Sequence, residues 1–416
     1  MNSSSKLWKW RPTEELSSMA GAASLFLSIR EAKVILDSPM WCSSITELRL
    51  REAGISCNRL YSLFIEEDDL IFGCKKKLLQ ALREADADET EKLLCFAVNC
   101  GPILVGDDIK GICNASIGDI PVAIADAGGF TGEFDDGYAK SLLAVLKCIK
   151  PKFCHKNQNT VNIIGYSPIE HYAQGTLQEL ERILAKCGIH VAFVTGRMDG
   201  SVEDMALIGQ AACNIVIHAR RGLDTAKWLE ETLEQPYIIA SLPYGIQGCR
   251  EWIGKVTEAL GLPIPTSIER ELEILQKEIF SGRIRILGNN VKIDRWIFCG
   301  TYDRIMPIAK AVQKEWGTES VYLNISDKEG AEEGLHWNPQ VSMPLLSENG
   351  IQILVGTEID RVILGNINKT IFITIDDVAD SIHSSNNTLA GIRGWAFFME
   401  QIFTQYKYYS LTHNIR

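Results

Sequence analysis

Cys100 stands directly after the apolar run Leu93-Leu94-Cys95-Phe96-Ala97-Val98 and before Gly101-Pro102-Ile103-Leu104-Val105-Gly106-Asp107-Asp108-Ile109. That pattern reads as a buried strand ending in a thiol, then a glycine-rich turn into a helix that opens on two aspartates. Backbone amides at such a turn, with the helix dipole beside them, lower a thiolate's pKa and help it hold a metal or cluster. Cys42 lies upstream in Asp37-Ser38-Pro39-Met40-Trp41-Cys42. Cys57 and Cys113 are spare thiols in the same region, and Asp107 and Asp108 read as helix caps.

A second group is basic. Arg197, His218, Arg220 and Arg221 fall on the segments Thr195-Gly196-Arg197 and His218-Ala219-Arg220-Arg221, each at the end of an expected strand. In open parallel sheets the ligand crevice lies beyond the carboxyl ends of strands. Guanidinium forks pair bidentately with carboxylates, so the set suits an anionic ligand such as a carboxylated tetrapyrrole, a small organic acid or an anionic metallocofactor. The plainer alternative is that these arginines pair with Asp and Glu of neighbouring helices. His218 has the titration range of a proton donor, or is a satisfied strand-end histidine. Gly128-Gly129-Phe130-Thr131-Gly132 lacks the lysine of a phosphate-binding loop. Trp8 and Trp10, among Lys6, Lys9 and Arg11, read as a basic-aromatic arm for a partner subunit.

The elements that must position these groups alternate. The first stretch reads as strand Ala32–Ser38, helix Ile45–Ala53, short strand Asp69–Phe72, helix Lys75–Ala85, strands Lys92–Val98 and Pro121–Ala125, and helix Tyr138–Ile149. The second has strands Val161–Gly165, His190–Thr195, Asn214–His218 and Tyr237–Ser241. Its helices are Thr176–Lys186, Val202–Ala212, Thr225–Leu233 and Cys249–Leu260. A linking helix, Glu269–Ile279, precedes a third stretch with strands Trp296–Cys299, Val321–Ile325, Ile351–Val355, Arg361–Leu364 and Ile371–Ile375 and a closing helix Ile392–Tyr406. Continuous apolar strands alternating with helices mean parallel sheets covered on both faces, an α/β fold. The division expected is 1–157, 158–292 and 293–416.

With 416 residues, 46% of them hydrophobic, the chain can bury several cores, and a formal charge of −11 argues against nucleic acid as the main partner. No run is apolar enough to span a bilayer and no signal-peptide core opens the chain, so the expected compartment is the cytoplasm and no membrane partner is expected. Twelve scattered cysteines without a CxxC pair read mostly as small buried hydrophobes, Cys95, Cys148, Cys187, Cys213 and Cys299 among them.

Several segments, in order, resemble component 1 of nitrogenase and its relatives, which include the dark-operative protochlorophyllide reductases. They are Asp37 to Cys42, Glu67 to Leu78, Cys100 to Ile109, Val161 to Gly165 and Asn387 to Gly394. The resemblance implies three Rossmann-like domains with mainly parallel sheets. It also implies an iron–sulfur cluster of the 4Fe–4S kind at a subunit interface, with Cys42 and Cys100 as ligands, and electron delivery by a separate ATP-hydrolysing iron–sulfur reductase. The assembly it implies is a homodimer, two thiolates from each chain, or a heterotetramer with a second component 1-type subunit. The chain then acts as a reductase of an anionic organic substrate, or as a non-catalytic partner or cofactor-assembly scaffold. Departures matter too. Met19-Ala20-Gly21-Ala22-Ala23-Ser24 has no thiol where the family has a further cluster cysteine. His218-Ala219-Arg220-Arg221 and Ala390 stand where nitrogenase has its active-cofactor ligands, so dinitrogen reduction at this subunit is not expected.

Overall fold

Runs such as Leu93–Val98, buried at every position, can only be satisfied by neighbours on both sides and cover on both faces. Among the described residues the chain answers with three parallel four-stranded sheets. The computed structural model describes residues 16–85, 92–106, 108–116, 120–153, 155–170, 172–287, 293–300, 302–317, 320–325, 351–357, 370–376 and 387–412. The Trp8–Trp10 arm, Asp107 and the expected strand Arg361–Leu364 lie outside them.

The first sheet contains β1 (Ala32–Asp37), β2 (Leu60–Ser62), β3 (Leu93–Val98) and β4 (Val122–Asp126), in the order β2-β1-β3-β4. The second has β5 (Asn157–Ile164), β6 (His190–Val194), β7 (Ala211–Val216) and β8 (Tyr237–Ile239), ordered β6-β5-β7-β8. The third repeats the arrangement with β9 (Ile293–Gly300), β10 (Ser320–Ile325), β11 (Ile351–Thr357) and β12 (Thr370–Asp376), ordered β10-β9-β11-β12. In each sheet the winding reverses between the two central strands, which is where doubly wound sheets open a crevice at their carboxyl ends.

The chain forms two compact units. One, 10–170 with 189–240, contains the first two sheets around a shared core that includes Phe26, Leu142, Phe193 and Val216. Helix α1 (Ser18–Leu27) is buried along its whole length and crosses α7 (Phe134–Ile149) with no room between the backbones. A Cβ on Gly137 would lie 1.8 Å from the Ser18 carbonyl oxygen, and one on Gly21 2.0 Å from that of Phe134. The other unit contains the third sheet, whose core stacks Trp296 between Phe298 and Phe398. There α8 (Ala173–Lys186) presents buried Glu179, which accepts the Arg393 amide at 3.0 Å at the start of the closing helix α14 (Gly391–Thr412).

Two expectations are corrected. Asp69–Phe72 is not a strand but the end of helix α3 (Glu67–Phe72). Glu66 and Asp69 form a reciprocal capping box, and three acids in the first turn suit the helix dipole. The helix expected over Val202–Ala212 stops early. It comprises α9 (Val202–Ala206) and a tighter turn, Leu207–Gln210, because Ala211 and Ala212 already belong to β7. Between Cys100 and the helix α6 (Ile109–Ser116) the chain also inserts a short helix, α5 (Cys100–Val105), closed by Gly106 at φ +75°. Asp108 then accepts the Gly111 amide at 2.9 Å, as a cap should.

Candidate functional site

Cys42 and Cys100 come from the two central strands of the first sheet. Asp37, the last residue of β1, pairs with Val98, the last of β3, and the Asn99 amide donates to the Asp37 carbonyl at 3.0 Å. Five residues beyond Asp37 the chain reaches Cys42, in the first turn of α2 (Met40–Glu52), and two beyond Val98 it reaches Cys100, the first residue of α5. Both thiols therefore leave adjoining strand ends at the switch point. Both are half-buried, as is Cys148 on the helix Phe134–Ile149, whereas Cys57, Cys74, Cys95, Cys113, Cys187, Cys213, Cys249 and Cys299 are buried. Cys57 and Cys113, the spare candidates, sit in apolar cores. Burial pushes the Cys57 thiol up and the Cys113 thiol up to about 11, so neither is poised as a ligand.

Two features surround Cys100. Gly128, after β4, lies against the thiol: a Cβ there would be 2.9 Å from Cys100 Sγ and 3.1 Å from its amide nitrogen. The loop beyond it carries Phe130, which is 89% exposed. Large apolar side chains are likewise exposed after the other strands of this sheet, with Trp41 at 74%, Phe72 at 83% and Leu104 at 83%. On α2, exposed Trp41, Ile45 and Leu48 follow helical spacing and form one stripe. Large apolar side chains left exposed after all four strands of one sheet make this end a candidate interaction face.

For a metal cluster the fit is half a site. The thiols have suitable chemistry, a glycine backbone leaves room beside one of them, and among the described residues no group of three or more His, Cys, Asp or Glu side chains could hold a metal ion. A four-ligand cluster would need donors beyond these two thiols.

The basic group meets acids of its own chain. Arg221, at the start of α10 (Ala219–Leu233), is buried and donates from Nε to Asp135 Oδ1 at 2.6 Å and from Nη1 to Glu170. Its guanidinium also lies over the rings of Phe134 and Tyr138. Burial alone would raise the Asp135 pKa. The charge of Arg221, with His218 and Arg220 adding to it, overrides that and holds it well below the usual carboxylate range. Arg220 bonds Asp136 at 3.1 Å and Glu133 at 3.3 Å, and His218 Nε2 stands 3.7 Å from Asp135 Oδ2. The structure thus brings His218, Arg220 and Arg221 together at the end of β7, on α7 carboxylates and Glu170. Arg197 is exposed on the turn after β6. Gly165, at φ +91°, lets β5 end against the turn after β7, since a Cβ there would lie 2.8 Å from the His218 carbonyl oxygen.

Sequence reasoning missed Asp135 and Glu170 as the counterions of Arg221, and missed the apolar collar. The run of acids Glu133, Asp135 and Asp136 at the N-cap and first turn of a helix was the available signal for the former. The spacing Trp41-x3-Ile45-x2-Leu48 was the partial signal for the latter, its exposure being visible only in the fold.

A family model described as Nitrogenase component 1 type Oxidoreductase matches residues 17–404. Among curated proteins, the nitrogenase iron-molybdenum cofactor biosynthesis protein NifE of Clostridium pasteurianum is 29% identical over 251 residues, 58% of this chain and 53% of that protein. One of the subunits of the light-independent protochlorophyllide reductase of Roseobacter denitrificans is 25% identical over 183 residues, 44% of this chain and 35% of that protein. The matched region thus spans about half, or less, of these relatives' own length. A solved structure titled "Nitrogenase Cp1 at pH 6.5" superposes with a TM-score of 0.78 at 16% identity, over 97% of this chain and 94% of that one, which establishes likeness of fold.

Proposed function

We propose, for a chain that belongs to the nitrogenase component 1-type oxidoreductases, the role of a reductase subunit that takes low-potential electrons from an ATP-hydrolysing iron–sulfur protein and delivers them to an anionic organic substrate other than dinitrogen. The observation that carries this reading is the pair of half-buried thiols, Cys42 and Cys100, at adjoining central strand ends inside an exposed apolar collar. An iron–sulfur cluster held there would supply one-electron transfer at a potential set by its ligands and burial. The chain's own part is to present two thiolates, and to exclude water from them once the collar is covered. Two-fold symmetry would let two copies each contribute two thiolates, and a second component 1-type subunit in a heterotetramer would serve equally.

On the substrate side, Arg197, His218 and Arg220 lie nearer solvent than Arg221 and are the groups offered to an anion, while Arg221 holds their turn in place. We place the protein in the cytoplasm. Among the described residues no helix is long and apolar enough to cross a membrane. We also propose the three-part division 1–157, 158–292 and 293–416, each part built on one of the three sheets.

A second reading has its own support. The cofactor-biosynthesis relative, together with Arg220 and Arg221 being occupied by the chain's own carboxylates, favours a non-catalytic partner or assembly scaffold. Anaerobic purification with iron and sulfide quantitation and low-temperature EPR tests the shared premise. Iron is expected in the oligomer and is expected to fall at least about tenfold in a Cys42→Ala/Cys100→Ala double variant, since each thiolate is a direct ligand. Iron-free wild type, or unchanged iron in the double variant, overturns the cluster assignment. Co-purification with a homologous chain richer in cysteine favours the scaffold.

A further inference from the structure

We propose that Asp126 is the positioning residue for the Cys100 thiol, acting through the double-glycine loop after β4. Its consequence for iron rests on the cluster reading above, whereas its geometry stands by itself. The loop leaves the sheet at Ala127, whose amide donates to the Val98 carbonyl at 2.9 Å, next to the end of the strand that delivers Cys100. Asp126 Oδ1 then accepts from the Gly128 amide at 3.2 Å, and the Thr131 hydroxyl lies 2.9 Å from the same oxygen. The hydroxyl is also 2.8 Å from the Gly128 carbonyl, and the Thr131 amide donates to that carbonyl at 3.0 Å, closing a tight turn. From α7, Lys140 Nζ donates to the Thr131 carbonyl at 3.0 Å. One carboxylate oxygen therefore gathers both ends of a turn whose first glycine has no space for a side chain beside Cys100 Sγ. Without that acceptor, the loop wall against which the sulfur rests loses its tie to the end of β4 and keeps the Ala127 bond to Val98, the Thr131 contacts with the Gly128 carbonyl and the Lys140 bond.

Acceptor geometry, rather than charge, is what the bonds require. Asparagine keeps a carbonyl oxygen at the Oδ1 position and alanine does not. Two measurements on the full-length chain test this. In the metal-free protein, limiting iodoacetamide followed by peptide mass spectrometry gives the alkylation rates of Cys100 and Cys42 in the same molecule. Asp126→Ala is expected to speed Cys100 about tenfold, the scale of two lost hydrogen bonds, and to leave Cys42 unchanged. Asp126→Asn is expected to stay within about twofold of wild type. In the iron-loaded protein, Asp126→Ala is expected to release iron to a chelator faster and to shift the cluster's midpoint potential, again with rescue by Asp126→Asn. Thr131→Val removes one of the two bonds and serves as a milder variant, with an intermediate Cys100 rate expected.

An unchanged Cys100 rate in both Asp126→Ala and Thr131→Val overturns the proposal, and so does an asparagine variant as impaired as the alanine one. A responsive Cys100 in a wild type that binds no iron sustains the positioning role and overturns the cluster reading instead.

Discussion

At the scale of single residues, the site is decided by what lies within van der Waals contact of two sulfurs and one guanidinium. Gly128→Ala would put a methyl 2.9 Å from Cys100 Sγ, so the thiol must move. The variant is expected to retain its fold by circular dichroism and to hold less than about half the wild-type iron, because ligand geometry at a cluster tolerates little displacement. Arg221 offers the opposite case. Its change to methionine keeps the volume but strands Asp135 and Glu170 in a buried place, and loss of about 3–5 kcal/mol is expected in urea unfolding. The strand-end placement of Cys42 and Cys100 was legible in the sequence because an apolar run followed by a glycine- or proline-bearing turn is a local pattern. The fate of Arg221 was not, since its partners lie 86 and 51 residues away. Nothing in His218-Ala219-Arg220-Arg221 itself distinguishes a guanidinium waiting for a ligand from one already neutralised.

At the scale of elements, the strands were readable because apolar continuity and length separate them from helices. Short elements were not. Glu67–Phe72 ends in three apolar residues that mimic a strand, and only the reciprocal bonds of Glu66 and Asp69 show why the helix wins. β2, three residues long, carries too little pattern to register. The crossing of α1 and α7 was equally hidden, because no helix was expected before Ala32 and the expected helix Tyr138–Ile149 began one residue after Gly137. Gly137→Ala decides between two effects. Alanine gains about 1 kcal/mol of helix propensity. The new methyl would stand 1.8 Å from a carbonyl oxygen that cannot swing away, and overpacking of this kind costs about 1–3 kcal/mol or more. The clash is expected to win, lowering the thermal midpoint of the unit by several degrees in a differential scanning measurement.

For the molecule as a whole, charge and exposed surface govern how it meets acid and how it meets partners. The folded-state pKa of Asp135 is depressed, so the carboxylate's contribution is complete above its unfolded value of about 4 and is lost as the pH falls below it. Stability measured by urea unfolding between pH 7 and pH 3 is expected to be flat near neutrality and to drop below about pH 5. The acid-limb slope should be shallower in Asp135→Asn, by at most about 1.4 kcal/mol per pH unit. Trp41→Glu combined with Phe130→Glu places charges in the apolar collar. Light scattering coupled to size exclusion is expected to show a monomer where the wild type is larger, and an unchanged mass would assign the collar to some other purpose. The parallel sheets were foreseeable from alternation, whereas the strand order and the collar depended on knowing how the fold pairs its strands and which apolar side chains it leaves uncovered. Finally, α1 is enclosed on every side by structure that includes α7, roughly a hundred residues further along. A ribosome adding about 5–20 residues each second leaves that oily decamer without its lodging for several seconds or more. Expression yield is therefore expected to respond to chaperone supply, checked by co-expression, more than to any change at the thiols.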